Sequence, residues 1–92
     1  MKLVIAGAGR WSVEVAEVAT ACGHEVVGWL DDNAELEGTY LLGAPVLGRI
    51  SEARALLDRE TALHVAIGNP EIRCRMMREF HQADLRLVTL VH

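Results

Sequence analysis

Three short stretches of this sequence carry residue types suited to holding a ligand. The first is Gly7-Ala8-Gly9-Arg10-Trp11-Ser12. Two glycines one residue apart let the chain turn tightly and let a ligand approach the backbone. A helix that starts there aims unpaired N–H groups and its positive dipole end at that ligand, which favours a phosphate. The third glycine of the GxGxxG fingerprint is Ser12 here, small enough for close helix–sheet packing but leaving the fingerprint incomplete. The second stretch is Asp31-Asp32, about 20 residues beyond the glycines, where a carboxylate can accept hydrogen bonds from a ribose hydroxyl or a base N–H. The same pair also reads as a solvated turn that caps the segment after it. The third is Gly68-Asn69-Pro70 with Arg73 one turn on, a second helix start facing the same crevice. Asn69 has two readings, an N-cap and a ligand contact. Arg73 offers a forked donor to a phosphate or carboxylate, whereas Arg75 and Arg78 read as a solvated face.

Other chemistry is poorly supported. His24, His64, His81 and His92 have no metal-ligand spacing with one another or with Cys22 and Cys74. His64 lies in a strand and reads as a satisfied, partly buried histidine. No Ser-His-Asp arrangement emerges, because Ser12 and Ser51 both have helix-start explanations. The two cysteines read as reduced and buried. Trp11 sits beside the expected ligand, and its helical-period partners favour a core position over stacking.

The elements that must position these residues follow from periodicity. Lys2–Ala6 is a short apolar run ending at glycine, which suits a buried parallel strand. Gly9–Cys22 reads as a helix, with Trp11, Val15, Val18 and Cys22 on one side and Val13, Ala16 and Thr20 widening the buried face. Gly23 ends it. Glu25–Leu30 is a second strand, stopped by Asp31-Asp32-Asn33. Gly38, Gly43, Pro45 and Gly48 break the next segment, where Pro45–Leu47 can form one very short strand. Ser51 is the expected N-cap of a helix reaching about Arg59. Leu63–Ile67 is a further strand. Asn69, Pro70 and Glu71 open a helix whose apolar stripe is Ile72, Met76, Met77 and Phe80. Leu85–Val91 is the last strand.

Strands alternating with helices imply an α/β, Rossmann-like open parallel sheet of about four or five strands with helices on both faces. With Pro45–Leu47 as the third strand, the doubly wound order 3-2-1-4-5 follows. The first strand and the Leu63–Ile67 strand are then neighbours at the topological switch point, where such sheets place ligands.

Composition narrows the function classes. The 92 residues suit one domain, and 51% hydrophobic with 24% charged residues is a globular mixture. A net charge of −4 argues against broad nucleic-acid binding, which needs a basic face. No apolar run approaches the ~20 residues needed to span a bilayer. Met1-Lys2-Leu3-Val4-Ile5 runs into Gly7 without a signal-peptide apolar region, so the expected location is cytoplasmic.

Taken in order, five segments resemble the N-terminal domain of the bacterial sugar O- and N-acyltransferases, the group that includes the bacillosamine and sialic acid acetyltransferases. They are Val4-Ile5-Ala6-Gly7-Ala8-Gly9, Val26-Val27-Gly28-Trp29-Leu30-Asp31-Asp32, Gly43-Ala44-Pro45-Val46-Leu47-Gly48, Ala66-Ile67-Gly68-Asn69 with Arg73, and Thr89-Leu90-Val91-His92. The resemblance implies a nucleotide-sugar site, typically for a UDP-linked amino sugar. In that family a left-handed β-helix follows, which binds acetyl-CoA, supplies the catalytic histidine and forms the trimer. The chain stops where that part would begin, so catalysis and the acetyl-CoA site are expected elsewhere, and the oligomeric state is open. His92 matches the linker. The family's glycine loop usually continues Gly-Gly-His-Gly and a basic residue. Here it is Gly9-Arg10-Trp11-Ser12-Val13, bulkier, with Arg10 available to replace the basic charge.

The expected ligand contacts are therefore Gly7, Gly9, Arg10, Trp11, Ser12, Asp31, Asp32, Gly68, Asn69 and Arg73, around a UDP-sugar. Two rival readings share these residues. One is an NAD(P)-binding oxidoreductase domain, with the missing third glycine and the short crossover after the second strand against it. The other is an interaction module that has lost its ligand, with Trp11 filling the pocket.

Overall fold

The computed structural model describes residues 1–9 and 12–88. Arg10, Trp11 and residues 89–92, which include the end of the expected strand Leu85–Val91, lie outside the described residues. Five strands form one sheet in the order β3-β4-β2-β1-β5. They are β1 (Lys2–Ala6), β2 (Glu25–Leu30), β3 (Tyr40–Leu41), β4 (Ala44–Gly48) and β5 (Ala62–Val65). β1 runs parallel to β2 and β5, and β2 parallel to β4. Beyond β5, Leu87 bridges Leu63 in parallel, and the Leu63 and Val88 amides donate to the Arg86 and Leu63 carbonyls at 2.8 and 2.9 Å. The expected doubly wound order is therefore found, with 85–88 in the last place.

β3 is an addition to that expectation. It pairs antiparallel with β4 through Tyr40–Pro45 and Leu41–Ala44. The intervening Leu42-Gly43 turn has φ of +52° and +78°, the pair of positive values that lets a two-residue hairpin follow the sheet twist. Asn33 caps a 3-10 turn over Ala34–Leu36, accepting the Glu35 amide at 3.0 Å.

Three helices cover the two faces. α1 (Ser12–Ala21) joins β1 to β2 and buries Ser12, Ala16 and Ala19 against Leu3, Ile5, Trp29 and Val46. Its buried stripe is displaced from the expected one. Val15 and Val18 are half-buried and Cys22 is exposed, because small alanines let the helix lie closest to the sheet. Cys74 is exposed as well, so neither cysteine is the core residue expected. Gly23, at φ +87°, follows the helix in the left-handed conformation expected of it.

α2 (Ala53–Leu56) and α3 (Pro70–Gln82) cover the other face, where Val4, Ala6, Leu30, Leu63, Val65 and Phe80 are part of the second core cluster. α2 is shorter than expected, a 3-10 turn over Ile50–Glu52 followed by helix Ala53–Leu56. Ser51 does not cap it. The amides at its start are taken by acids instead, Arg49 by Glu52 at 2.9 Å and Ile50 by Asp32 at 3.0 Å. In α3, Phe80 is buried, Ile72 and Met76 are half-buried, and Met77 is exposed rather than core. No helix among the described residues is long and apolar enough to cross a membrane.

Candidate functional site

The expected crevice lies at the carboxyl ends of β1 and β5, where their connections depart to opposite faces of the sheet. The Ala66 amide donates to the Ala6 carbonyl at 2.8 Å, so the two strand ends leave the sheet side by side. Gly7, at φ +110°, fits there because it lacks a side chain. A Cβ would stand 2.8 Å from the Ala66 carbonyl oxygen and 3.3 Å from Ile67 Cγ1. The glycine loop and the Ile67-Gly68 loop are thereby brought together, as the spacing anticipated.

Asp31 lies under the glycine loop, and its carboxylate is already engaged. Oδ2 accepts the Ala8 amide at 2.8 Å and Oδ1 accepts the Asn33 amide at 2.8 Å. The Gly7 amide donates to the Leu30 carbonyl at 2.7 Å. The end of β2 thus latches the loop after β1 through two consecutive amides. A carboxylate has about four acceptor positions, so Asp31 keeps capacity for a ligand hydroxyl or N–H. Asp32 is exposed and turned to the Ile50 amide, at the lip of a cleft of about 510 Å³ between α2 and α3 whose wall includes Arg54, Arg75 and Glu79. The expected cap on the following segment is made by Asp31, whereas Asp32 caps a distant one.

The two helix starts are less open than their sequences suggest. At α1, the Ser12 amide bonds the Gly9 carbonyl at 3.1 Å. The Ser12 hydroxyl donates to the same carbonyl, and the residue is buried. Ser12 therefore closes the turn from within, filling the place of the third glycine. At α3, Asn69 Oδ1 accepts the amides of Glu71 and Ile72 at 3.0 and 3.2 Å, and its carbonyl accepts the Arg73 amide at 2.9 Å. Pro70 has no N–H. The first turn of α3 is thus fully capped, and what it offers a ligand is its dipole and side chains.

Among the described residues, Arg73 is the principal side-chain donor on this rim. It is half-buried, and Nη1 reaches the Ile67 carbonyl at 3.3 Å. That bond ties the guanidinium to the loop that packs on Gly7 and leaves most of its five N–H groups available. Arg73 also lines a cleft of about 320 Å³ with His64, Met77 and Leu87. His64 donates its Nδ1–H to the Val88 carbonyl at 2.8 Å, the satisfied histidine expected of it. Gly9, Gly68 and Asn69 are exposed on the rim, and Gly7 forms the buried floor. Among the described residues, no group of three or more His, Cys, Asp or Glu side chains could hold a metal ion.

The Ala8–Asp31 latch was missed by sequence reasoning, as was the Asp32–Ile50 cap. The two-residue step from Asp31 to Asn33 is a legible turn signal, but neither distant partner is.

The PglD N-terminal domain family model matches residues 2–80. The chain belongs to that family. Solved structures of similar proteins cover nearly the whole chain. The acetyltransferase domain of PglB from Neisseria gonorrhoeae superposes with a TM-score of 0.83 at 32% identity, over 99% of this chain and 44% of that one. PerB from Caulobacter crescentus, in complex with CoA and GDP-perosamine, superposes with a TM-score of 0.82 at 30% identity, over 100% of this chain and 42% of that one. The chain thus spans less than half the length of these relatives. Comparison with functionally curated sequences gives no significant match.

Proposed function

We propose that this PglD N-terminal domain binds a nucleoside-diphosphate amino sugar, with UDP as the nucleotide, and positions the sugar for acyl transfer from acetyl-CoA. The acetyl-CoA site and the catalytic base belong to a β-helix domain outside residues 1–92. Fixing one reactant's position lowers the entropic part of the barrier without any catalytic group in the domain that holds it.

The observation that carries this reading is the crevice built by Gly7-Ala8-Gly9 and Gly68-Asn69 at the switch point, in a chain 30% identical to a protein that binds GDP-perosamine. In the proposed site, Arg73 faces the diphosphate, Asp31 and Asp32 face the nucleoside, and Asn69 contributes its Nδ2–H. Gly9, Arg10 and Trp11 complete the glycine-loop side, and Ser12 and Gly7 support it from below. The Ala8 amide, a donor a dinucleotide pyrophosphate would use in the glycine loop, is turned instead onto Asp31. That loss weighs on any diphosphate; what favours the nucleotide-sugar reading over the NAD(P) reading is buried Ser12 in the place of the third glycine and the likeness to PerB.

Thermal unfolding with UDP, a UDP-amino sugar, a GDP-amino sugar and NAD, each at millimolar concentration, tests it. A ligand at 100 times its Kd stabilises by about 2.7 kcal/mol, a rise of roughly 10–20 °C for a domain of this size. The expected ranking is UDP-sugar first. A shift with GDP-sugar alone moves the base assignment, a shift with NAD alone overturns the class, and no shift with any ligand overturns the site.

A further inference from the structure

A second concavity lies away from the crevice, between α1 and the β3–β4 hairpin. It is a groove of about 660 Å³ with Ala16, Ala21, Val26 and Trp29 among its lining residues and Leu42 at the hairpin tip. Three observations set it apart from ordinary surface. Leu42 is 60% exposed and sits at φ +52°. Asparagine is the preferred residue before glycine in such a turn and leucine is a poor one, so the local conformation does not explain the leucine. The hairpin is held against the core by the Trp29 indole, whose Nε1–H donates to the Leu41 carbonyl at 2.9 Å, so Leu42 is presented by a braced support. Finally, His24 lines the groove with a buried Nδ1 that has no hydrogen-bond partner among the described residues, where a buried polar atom is normally satisfied.

The charges of the groove choose its occupant. Glu17 and Glu25 line it, and among the described residues no Lys or Arg does. A second copy docking groove to groove would bring two acidic linings together without a cation from the described lining residues of either. An apolar segment with neighbouring cations would bury its apolar side chain on Val26 and Leu42 and pair with Glu17 and Glu25. We infer that this groove docks a basic, apolar-tipped peptide segment of a protein partner, with Leu42 as its anchor. The inference is independent of the nucleotide-sugar reading.

Two synthetic peptides of equal length test it, one alternating leucine and lysine, the other leucine and glutamate. The readout is the NMR shift of the Trp29 indole N–H. The expected result is saturable binding of the leucine–lysine peptide alone. Leu42→Asn should weaken it about tenfold or more, as loss of an interface anchor does, while raising the melting temperature, because Asn-Gly suits the turn. Glu17→Gln with Glu25→Gln should weaken binding and flatten its salt dependence. Equal response to both peptides, response to neither, or undiminished binding by Leu42→Asn overturns the inference. So does a concentration-dependent indole shift without peptide, which assigns the groove to a second copy. Nucleotide-sugar stabilisation should be the same in the parent and in Leu42→Asn, which keeps a failure here separate from a failure of the crevice.

Discussion

At single positions, the site rests on geometry that leaves little room for substitution. Gly7→Ala combines a left-handed φ with a Cβ 2.8 Å from a carbonyl oxygen. Strain of that kind costs about 1–3 kcal/mol, which urea unfolding should register as a lower midpoint. Asp31→Ala leaves the Ala8 and Asn33 amides without their acceptor. Hydrogen bonds to a charged group are worth about 1.5–3 kcal/mol, and calorimetry should show nucleotide-sugar affinity falling with stability because the loop is no longer latched. Asp58 gives a pH-dependent case. The Thr61 hydroxyl, at 2.7 Å, and then the Glu60 and Thr61 amides hold its carboxyl below the ordinary aspartate range. A depressed folded pKa stabilises the fold above the unfolded value of about 3.9 and loses that contribution as pH falls through the folded value. Asp58→Asn should therefore melt below the parent near neutral pH. The two melting curves should converge in strong acid.

Among the elements, α3 shows how local and distant causes combine. Its start is written in adjacent residues, with Asn69 as cap and Pro70 at the first turn. Asn69→Ala removes the acceptor of two amides and should cost about 1 kcal/mol, visible as a small drop in thermal midpoint. The face that α3 buries was only partly legible. Ile72, Met76 and Phe80 turn inward to different depths, and Met77 turns out, because one apolar residue too many fits the period and the sheet accepts only the side directed at it. α1 shows the same limit. Its valines looked like core, yet the alanines lie closest to the strands.

For the whole molecule, two clusters, one on each face of the sheet, share the burden of stability. Phe80 is the one residue of α3 that is buried. Phe80→Ala should cost about 3–5 kcal/mol, a large fraction of the 5–15 kcal/mol typical of native domains. Denaturant unfolding should show the variant close to its transition in water. Because 85–88 joins the sheet through β5, which also packs under α3, loosening that face should expose the Leu63 edge as well.

The sequence by itself determined what a few adjacent residues can enforce. It set the glycine turn at Gly7-Ala8-Gly9, the stop at Gly23, the cap at Asn69, the strand–helix alternation and, through five ordered segments, the family. These signals act over one or two turns of chain. Tertiary structure decided which groups remain open to a ligand. The Ala8 amide is spent on Asp31, 23 residues away, and the Ile50 amide on Asp32, 18 residues away. No local pattern encodes a hydrogen bond across that separation, because it forms only after β1, β2 and β4 have aligned side by side. The same alignment set the short β3 against β4 and left Leu42 at the rim of its groove.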